Sequence, residues 1–313
     1  MMTAKGKDVP LKPAFEERYR SLLGERYPAF LETCGRFLRK SIRVNTLKTT
    51  VEEVKERMLS IGWTLSPVPW CPTGFFAEHA DGRLDLGNTV EHALGYYYVQ
   101  EAASMIPPEI LELSDGMLVL DLCAAPGSKS TQIAQLLRGT GMVVCNDRTG
   151  ARLQPLGMNL QRMGCVNSAV SRWDGRRFPA EEAFDRVLVD APCSATGAVR
   201  KSLSVLEMWS TAGVRRLAGT QRSLLETGWR CLKPGGILVY STCTLEPEED
   251  ESVVSWFLGR HAEAELMEID LPLKRSPPVL DGDPRVAGCL RLWPMDNDTE
   301  GFFVAKLGKS AAP

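Results

Sequence analysis

A doubly wound α/β domain with a small α+β module before it is predicted by three observations. From Gly116 onward, short apolar runs alternate regularly with amphipathic stretches, as strands buried on both faces and their crossover helices do. Before about Leu94 the pattern is mixed, with helical, strand-like and proline-rich pieces in no regular order. The chain has 313 residues, 44% of them apolar, enough for one large core and a second small one.

Taken in order, Phe15 to Leu31 reads as a helix, SIRVNT as a strand, and TTVEEVKERMLSIGW as a second helix. Thr49 and Glu52 make a capping box for that second helix, with Val51, Val54, Met58 and Ile61 as its apolar stripe. Pro67 to Pro72 is extended. These pieces form the small α+β module, residues 1–94, and residues 95–313 form the main domain. There MLVLDL, MVVCND, SAVSRW, DRVLVD and GILVYS read as parallel strands, separated by helices such as STQIAQLLR and LAGTQRSLLETGWRCLK. CLRLWP and GFFVAKL read as an antiparallel hairpin at one sheet edge. Ligands bind at the carboxyl ends of such strands.

Composition narrows the function classes. No run approaches the roughly 18 apolar residues of a membrane helix, and the N-terminal MMTAKGKDVPLKP has no apolar core, so a cytoplasmic, soluble chain is expected. Nine cysteines, an odd number without C-x-x-C, fit a reducing compartment rather than a disulfide framework. His79, His92 and His261 are dispersed, so no metal is expected. The net charge of −2 does not advertise nucleic-acid binding. Yet Arg36, Arg39, Lys40, Arg43 and Lys48 fall in one acid-free run, which suits either phosphate contacts or a solvated strand edge.

The first parallel strand runs into DLCAAPGSKS, Asp121 to Ser130, small residues that let a ligand approach the backbone at a helix start. Ser128 and Cys123 stand where a Walker loop needs glycines, and Pro126 removes an amide that a pyrophosphate cradle would use. Asp147 ends the next strand, where a carboxylate meets ribose hydroxyls or caps the following helix. Asp174 suits an adenine amino group or a simple turn. Asp190 and Cys193 share the turn after the fourth strand, and Cys243 follows the fifth. Cys123, Cys145, Cys165, Cys231 and Cys289 read as apolar packing; Cys193 and Cys243 read as functional, at the ends of neighbouring strands. The run Glu246, Glu248, Glu249, Asp250, Glu251 reads as a helix start whose acids complement the dipole and whose amino end depresses the Cys243 pKa.

GYYYVQEAASMIPP, DLCAAPGSK, DAPCSATG, STCTLEPEEDE and GFFVAKL, in that order and at similar spacing, resemble the Sun-type RNA cytosine-5 methyltransferases. The resemblance runs from about Ser41, including SIRVNTL, to the C-terminus. It implies a Rossmann-like class I methyltransferase sheet, S-adenosyl-L-methionine as cofactor, and an RNA-binding role for the small module. It also implies a structured RNA substrate, with transfer RNA placed ahead of ribosomal RNA; a monomer is the default expectation, since nothing in the sequence speaks to assembly. Cys123, Ala124, Ala125, Pro126, Gly127, Ser128, Lys129, Asp147, Arg152, Asp174 and Asp190 would line the cofactor pocket. Cys243 would attack carbon 6 of the cytosine, Cys193 would serve product release, and Asp190 and Lys129 would hold the base. The alternative is an RNA-binding assembly factor whose catalysis is secondary; a nicotinamide-dependent oxidoreductase stands third. The sequence departs from the family pattern at Ser128 and Ala195, which replace glycines, and at Asp250, which replaces asparagine. Ala195 is costly if its turn requires a positive φ.

Overall fold

The computed structural model describes residues 10–279 and 283–311. Its N-terminal sheet is antiparallel, with β1 (Ser41–Val44), β2 (Trp63–Val68), β3 (Cys71–His79) and β4 (Tyr97–Val99) in the order β2-β3-β1-β4. The fourth strand lies past the boundary expected at residue 94, because the side of β1 not used by β3 takes its hydrogen bonds from Tyr97–Val99. Ile42, Val44, Val54, Met58, Trp63 and Phe75 form this sheet's core. The helix Val51–Ser60 is capped by Thr50, which accepts from Glu53 N at 3.2 Å, while Thr49 donates to the Glu53 carboxylate at 2.8 Å. The cap thus sits one residue later than the expected Thr49 and Glu52, because Thr50 is the last extended residue.

The first helix is two, Pro13–Leu23 and Tyr27–Gly35, divided at Gly24, whose φ is +52°. Pro28 sits in the first turn of the second, where a missing amide costs nothing. Their aromatic face, Phe15, Tyr19, Tyr27 and Phe30, packs on Trp209, Val214, Leu245 and Trp293 of the large domain, not on the small sheet.

Two members of the basic run have structural partners. β1 is an interior strand, and Arg43 is buried, donating to Gln135, Gln100, Thr131 and the Ser128 carbonyl. Lys48 donates to the carbonyls of Leu94 and Arg162. Both side chains staple the two sheets together.

The large sheet contains β5 (Leu118–Asp121), β6 (Met142–Asn146), β7 (Ser168–Ser171), β8 (Phe184–Asp190), β9 (Leu232–Thr242), β10 (Ala264–Leu266), β11 (Leu290–Leu292) and β12 (Phe302–Lys309). Its order is β10-β12-β9-β8-β5-β6-β7, with β11 also on β12. β5 to β9 are parallel, as the alternation of apolar runs predicts, and β12 is antiparallel to β9. The expected hairpin is present, but β12 is interior, and β10 and β11 share its outer side. β10 is too short and polar to show a period in the sequence. Helices Ser128–Leu136 and Gly150–Met163 cover one face, and Thr211–Cys231 and Glu251–Leu258 the other. The strand order reverses between β5 and β8, so a crevice opens at their carboxyl ends.

Candidate active site

The parallel register of β8 and β9 sets Asp190 beside Ser241, and the two strands then deliver Cys193 and Cys243. The two Sγ atoms lie 3.3 Å apart. Asp190 accepts from Ser241 Oγ at 2.8 Å through Oδ1 and from Lys129 Nζ at 2.7 Å through Oδ2. Lys129 arrives from the opposite side, as the second residue of the helix after β5, and is only 7% exposed. Burial lowers its pKa, but the charge and hydrogen bond of Asp190 outweigh that, and the net shift is upward. The Cys193 thiol is pushed well above its ordinary value, first by its hydrogen bond with Cys243 and then by burial. Cys193 therefore stays protonated beside Cys243.

Two glycines make the close approaches possible. Gly127 has φ +106°, and a Cβ there would meet Leu156 Cδ1 at 2.9 Å. A Cβ on Gly197 would meet the carbonyl oxygens of Gly301 at 2.2 Å and Cys243 at 2.8 Å. Ala195, by contrast, sits at φ +57° in the turn that carries Cys193. A side chain in that region costs about 1 kcal/mol or more. Replacing Ala195 with glycine is expected to stabilise the fold by up to about 1 kcal/mol, set against the extra entropy of an unfolded glycine. Urea denaturation checks it.

The acidic run is not the helix start expected of it: Glu246, Glu249 and Asp250 precede the helix and are buried, and only Glu251, also buried, falls in its first turn. Glu249 accepts from Ser194 N at 3.0 Å and Gln221 Nε2 at 2.7 Å, which holds the Cys193 turn from beneath. Glu246 accepts from Tyr19 and Trp209, each at 2.8 Å, and so ties the N-terminal helix to the loop after Cys243. Specific donors in place of water make these acids structural.

A cavity of about 730 Å³ opens onto the two cysteines. Cys123, Ala125, Pro126, Ser128, Lys129, Asp147, Arg152, Asp174 and Asp190 line it together with Cys193 and Cys243. Of the residues expected there, Ala124 and Gly127 do not: Ala124 is buried in the core, its N–H bonded to the Asn146 carbonyl, and Gly127 is backed by Leu156. Asp147 is 3% exposed. Its Oδ1 accepts from Thr149 N at 2.9 Å, whereas Oδ2 is buried, has no hydrogen-bond partner among the described residues, and is ion-paired with Arg152 Nη1 at 3.2 Å. Asp147 does not cap the helix that follows, because Thr149 occupies the cap position. Arg152 instead donates to the Ala125 carbonyl. Asp174 holds a turn by accepting from Arg176 N at 3.1 Å, and its hydrogen bonds with the Arg176 side chain keep its carboxyl down at about 2. It also faces the cavity. Ser241, Glu101, Glu300 and Phe302 reach the site without having been expected there. For Ser241 a signal existed, since it lies two residues before Cys243 along the strand direction.

The model of the family described as 16S rRNA methyltransferase RsmB/F matches residues 108–308, and that of the N-terminal domain of 16S rRNA methyltransferase RsmF matches residues 11–102. Ribosomal RNA small subunit methyltransferase F of Vibrio parahaemolyticus is 43% identical over 309 residues, 96% of this chain and 64% of the relative. Its namesake in Aeromonas hydrophila is 45% identical over 287 residues, 90% of this chain and 60% of the relative. The chain thus spans less than two thirds of the length of these relatives. Among solved structures, a methyltransferase homolog protein from Pyrococcus horikoshii is similar at TM-score 0.84 and 34% identity, covering 95% of both chains. NSun6 from Pyrococcus horikoshii, solved with SFG, shares the fold at TM-score 0.85 and 23% identity, over 96% of this chain and 99% of that one.

Proposed function

Since the chain belongs to the RsmB/F family of 16S rRNA methyltransferases, we propose that it methylates carbon 5 of a cytosine in structured RNA. Cys243 would be the nucleophile and S-adenosyl-L-methionine the cofactor. The observation that carries this reading is the pair of sulfurs, 3.3 Å apart, in a cavity that also holds the Lys129–Asp190 pair.

The cavity fits that cofactor. Asp147 Oδ2, ion-paired with Arg152 but with no hydrogen-bond donor among the described residues, suits two adjacent ribose hydroxyls. Cys123, Ala125, Pro126, Ser128, Arg152 and Asp174 would surround the rest. When bound, S-adenosyl-L-methionine supplies an electrophilic methyl group. Replacing Asp147 with alanine is expected to weaken binding of S-adenosylhomocysteine by about 10- to 100-fold, the worth of hydrogen bonds to one charged group. Isothermal titration calorimetry reads this directly, and unchanged affinity would remove Asp147 from the site.

Carbon 5 of cytosine is a weak nucleophile. Addition of the Cys243 thiolate to carbon 6 makes the ring enamine-like and directs its electrons to carbon 5. Asp190 and Lys129 hold the ring, so that a proton of this pair meets the charge developing at N3. Cys193, which keeps its own proton, offers a hydrogen bond to the Cys243 sulfur as it departs as a thiolate. The target base must leave its stack to enter the cavity. The small module reaches the same cavity through Tyr98 and Val99, which suits an RNA-binding role.

The relatives' names favour small-subunit ribosomal RNA as substrate over the transfer RNA ranked first from the sequence. Mass-spectrometric mapping of 5-methylcytosine on both RNAs after incubation tests this. Modification of transfer RNA alone would overturn the ribosomal assignment.

A further inference from the structure

Glu300 stands just before β12 and forms part of the wall of the cavity that holds Cys243, Lys129 and Asp190. It is 5% exposed, and its Oε1 is buried without a hydrogen-bond partner among the described residues. The Lys201 ammonium is 3.9 Å from that oxygen. A buried carboxyl oxygen left without a hydrogen bond is costly and calls for a function that uses it. The backbone around it is fixed. Glu300 N donates to Glu101 Oε1 at 3.1 Å, Gly301 N to the Gly197 carbonyl at 3.0 Å, and Gly197 N to the Cys243 carbonyl at 3.0 Å. Two backbone hydrogen bonds therefore connect the peptide after Glu300 to that of Cys243.

The reaction proposed above ends in an elimination that needs a proton acceptor, and the neighbouring groups are poor ones. Both oxygens of Asp190 are already engaged, by Lys129 and Ser241. Cys193 retains its proton beside Cys243. Resting on that reading of the reaction, we propose that Glu300 is the catalytic base of the release step. Its carboxylate takes the proton from carbon 5 of the methylated adduct. The electron pair of that C–H bond becomes the C5–C6 double bond, the C6–Sγ bond breaks, and Cys243 leaves as a thiolate. Solvent then receives the proton from Glu300.

The surroundings suit a base that works at neutral pH. Burial, followed by the charge of Glu101, pushes the Glu300 carboxyl up to about 7, while Lys201, Lys129 and Arg200 pull the other way. A carboxyl so placed is substantially ionised at neutral pH and is still basic enough to take a proton.

The test uses Glu300→Gln, which keeps the shape and removes the basicity, with small-subunit ribosomal RNA and methyl-tritiated S-adenosyl-L-methionine. The labelled methyl group is expected to accumulate in a slow, ribonuclease-sensitive protein band, with release slowed by about 100-fold or more. Glu300→Asp, which restores a carboxyl, should recover part of the release rate. In the unmodified protein the release rate should rise with pH through about 7 and level off above it, a rise that Glu300→Gln abolishes. Two results would overturn the proposal: turnover in Glu300→Gln at the unmodified rate with no trapped methyl, or loss of methyl transfer with no adduct in both variants. A failure of the unmodified protein to methylate any RNA is distinguishable from these, because it would sink the underlying reading and this proposal with it.

Discussion

Incubated with RNA and S-adenosyl-L-methionine, the Cys193→Ala variant is expected to run on a denaturing gel as two bands, the slower one collapsing with ribonuclease. Alanine removes the thiol whose Sγ lies 3.3 Å from that of Cys243, and with it the group proposed to assist the departing sulfur. Attack and methyl transfer do not need that thiol, so the adduct forms and then stalls. Cys243→Ala, which lacks the nucleophile, should show neither band shift nor methylation, with activity below about a thousandth of the unmodified level. The double variant should behave like Cys243→Ala, because residues acting in one sequence of steps are not additive. Should Cys243→Ala trap RNA while Cys193→Ala does not, the two roles are exchanged. Full methyl transfer by Cys243→Ala would remove covalent catalysis altogether.

Replacing Arg291 with methionine is expected to destabilise the fold by about 3–5 kcal/mol, because it strands two buried carboxylates. Arg291 is itself buried, on β11, with Trp293 and Phe303 beside it. Nε donates to Glu251 Oε1 at 2.6 Å, Nη2 reaches Asp250 Oδ2 at 2.9 Å, and Nη1 donates to the Leu245 carbonyl at 3.1 Å. These bonds clamp the loop between Cys243 and the helix Glu251–Leu258 from one side, opposite the hold that Glu246 has on Tyr19 and Trp209. The pH dependence has a definite sign. Burial drives the Asp250 carboxyl upward while Arg291 opposes it. A carboxyl raised in the folded state costs stability that appears as pH climbs above its unfolded value, about 3.9, and persists above the folded one. Without Arg291 that cost grows, so the deficit against the unmodified protein should be largest at neutral pH and shrink toward pH 4. Urea unfolding across that range reads both the size and the sign, and a deficit below about 1 kcal/mol at pH 7 would show that the clamp is not needed.

Much of the architecture is legible in local patterns. Runs such as LVLD and VLVD are buried on both faces, so they carry a continuous apolar signal that near neighbours alone specify. The ends of β8 and β9 follow from where those runs stop, which is why Cys193 and Cys243 could be singled out with Asp190 before any coordinates. Capping was readable to within one residue, since Thr49 and Thr50 are chemically alike and only the backbone of Thr50 decides between them. The glycine at 195 in the family pattern, replaced here by alanine, pointed to a turn that does adopt a positive φ.

The misses share one cause, the burial of polar residues by distant partners. A run of five acids within six residues looks like a helix start, yet Glu246, Glu249, Asp250 and Glu251 are enclosed by Tyr19, Trp209, Gln221 and Arg291, contributed by remote helices and strands. Arg43 likewise looks like a phosphate contact until Gln100, Gln135 and Thr131 close around it. By itself the sequence determined the parallel sheet, the strand ends and the residue types offered there, because periodicity and apolar runs depend on neighbours along the chain. Only the tertiary structure decided that Lys129 pairs with Asp190, that Asp147 keeps an oxygen without a hydrogen bond among the described residues, and that Glu300 is sealed into the same cavity. Desolvation and ion pairing depend on what the fold brings from elsewhere, and no local pattern records that.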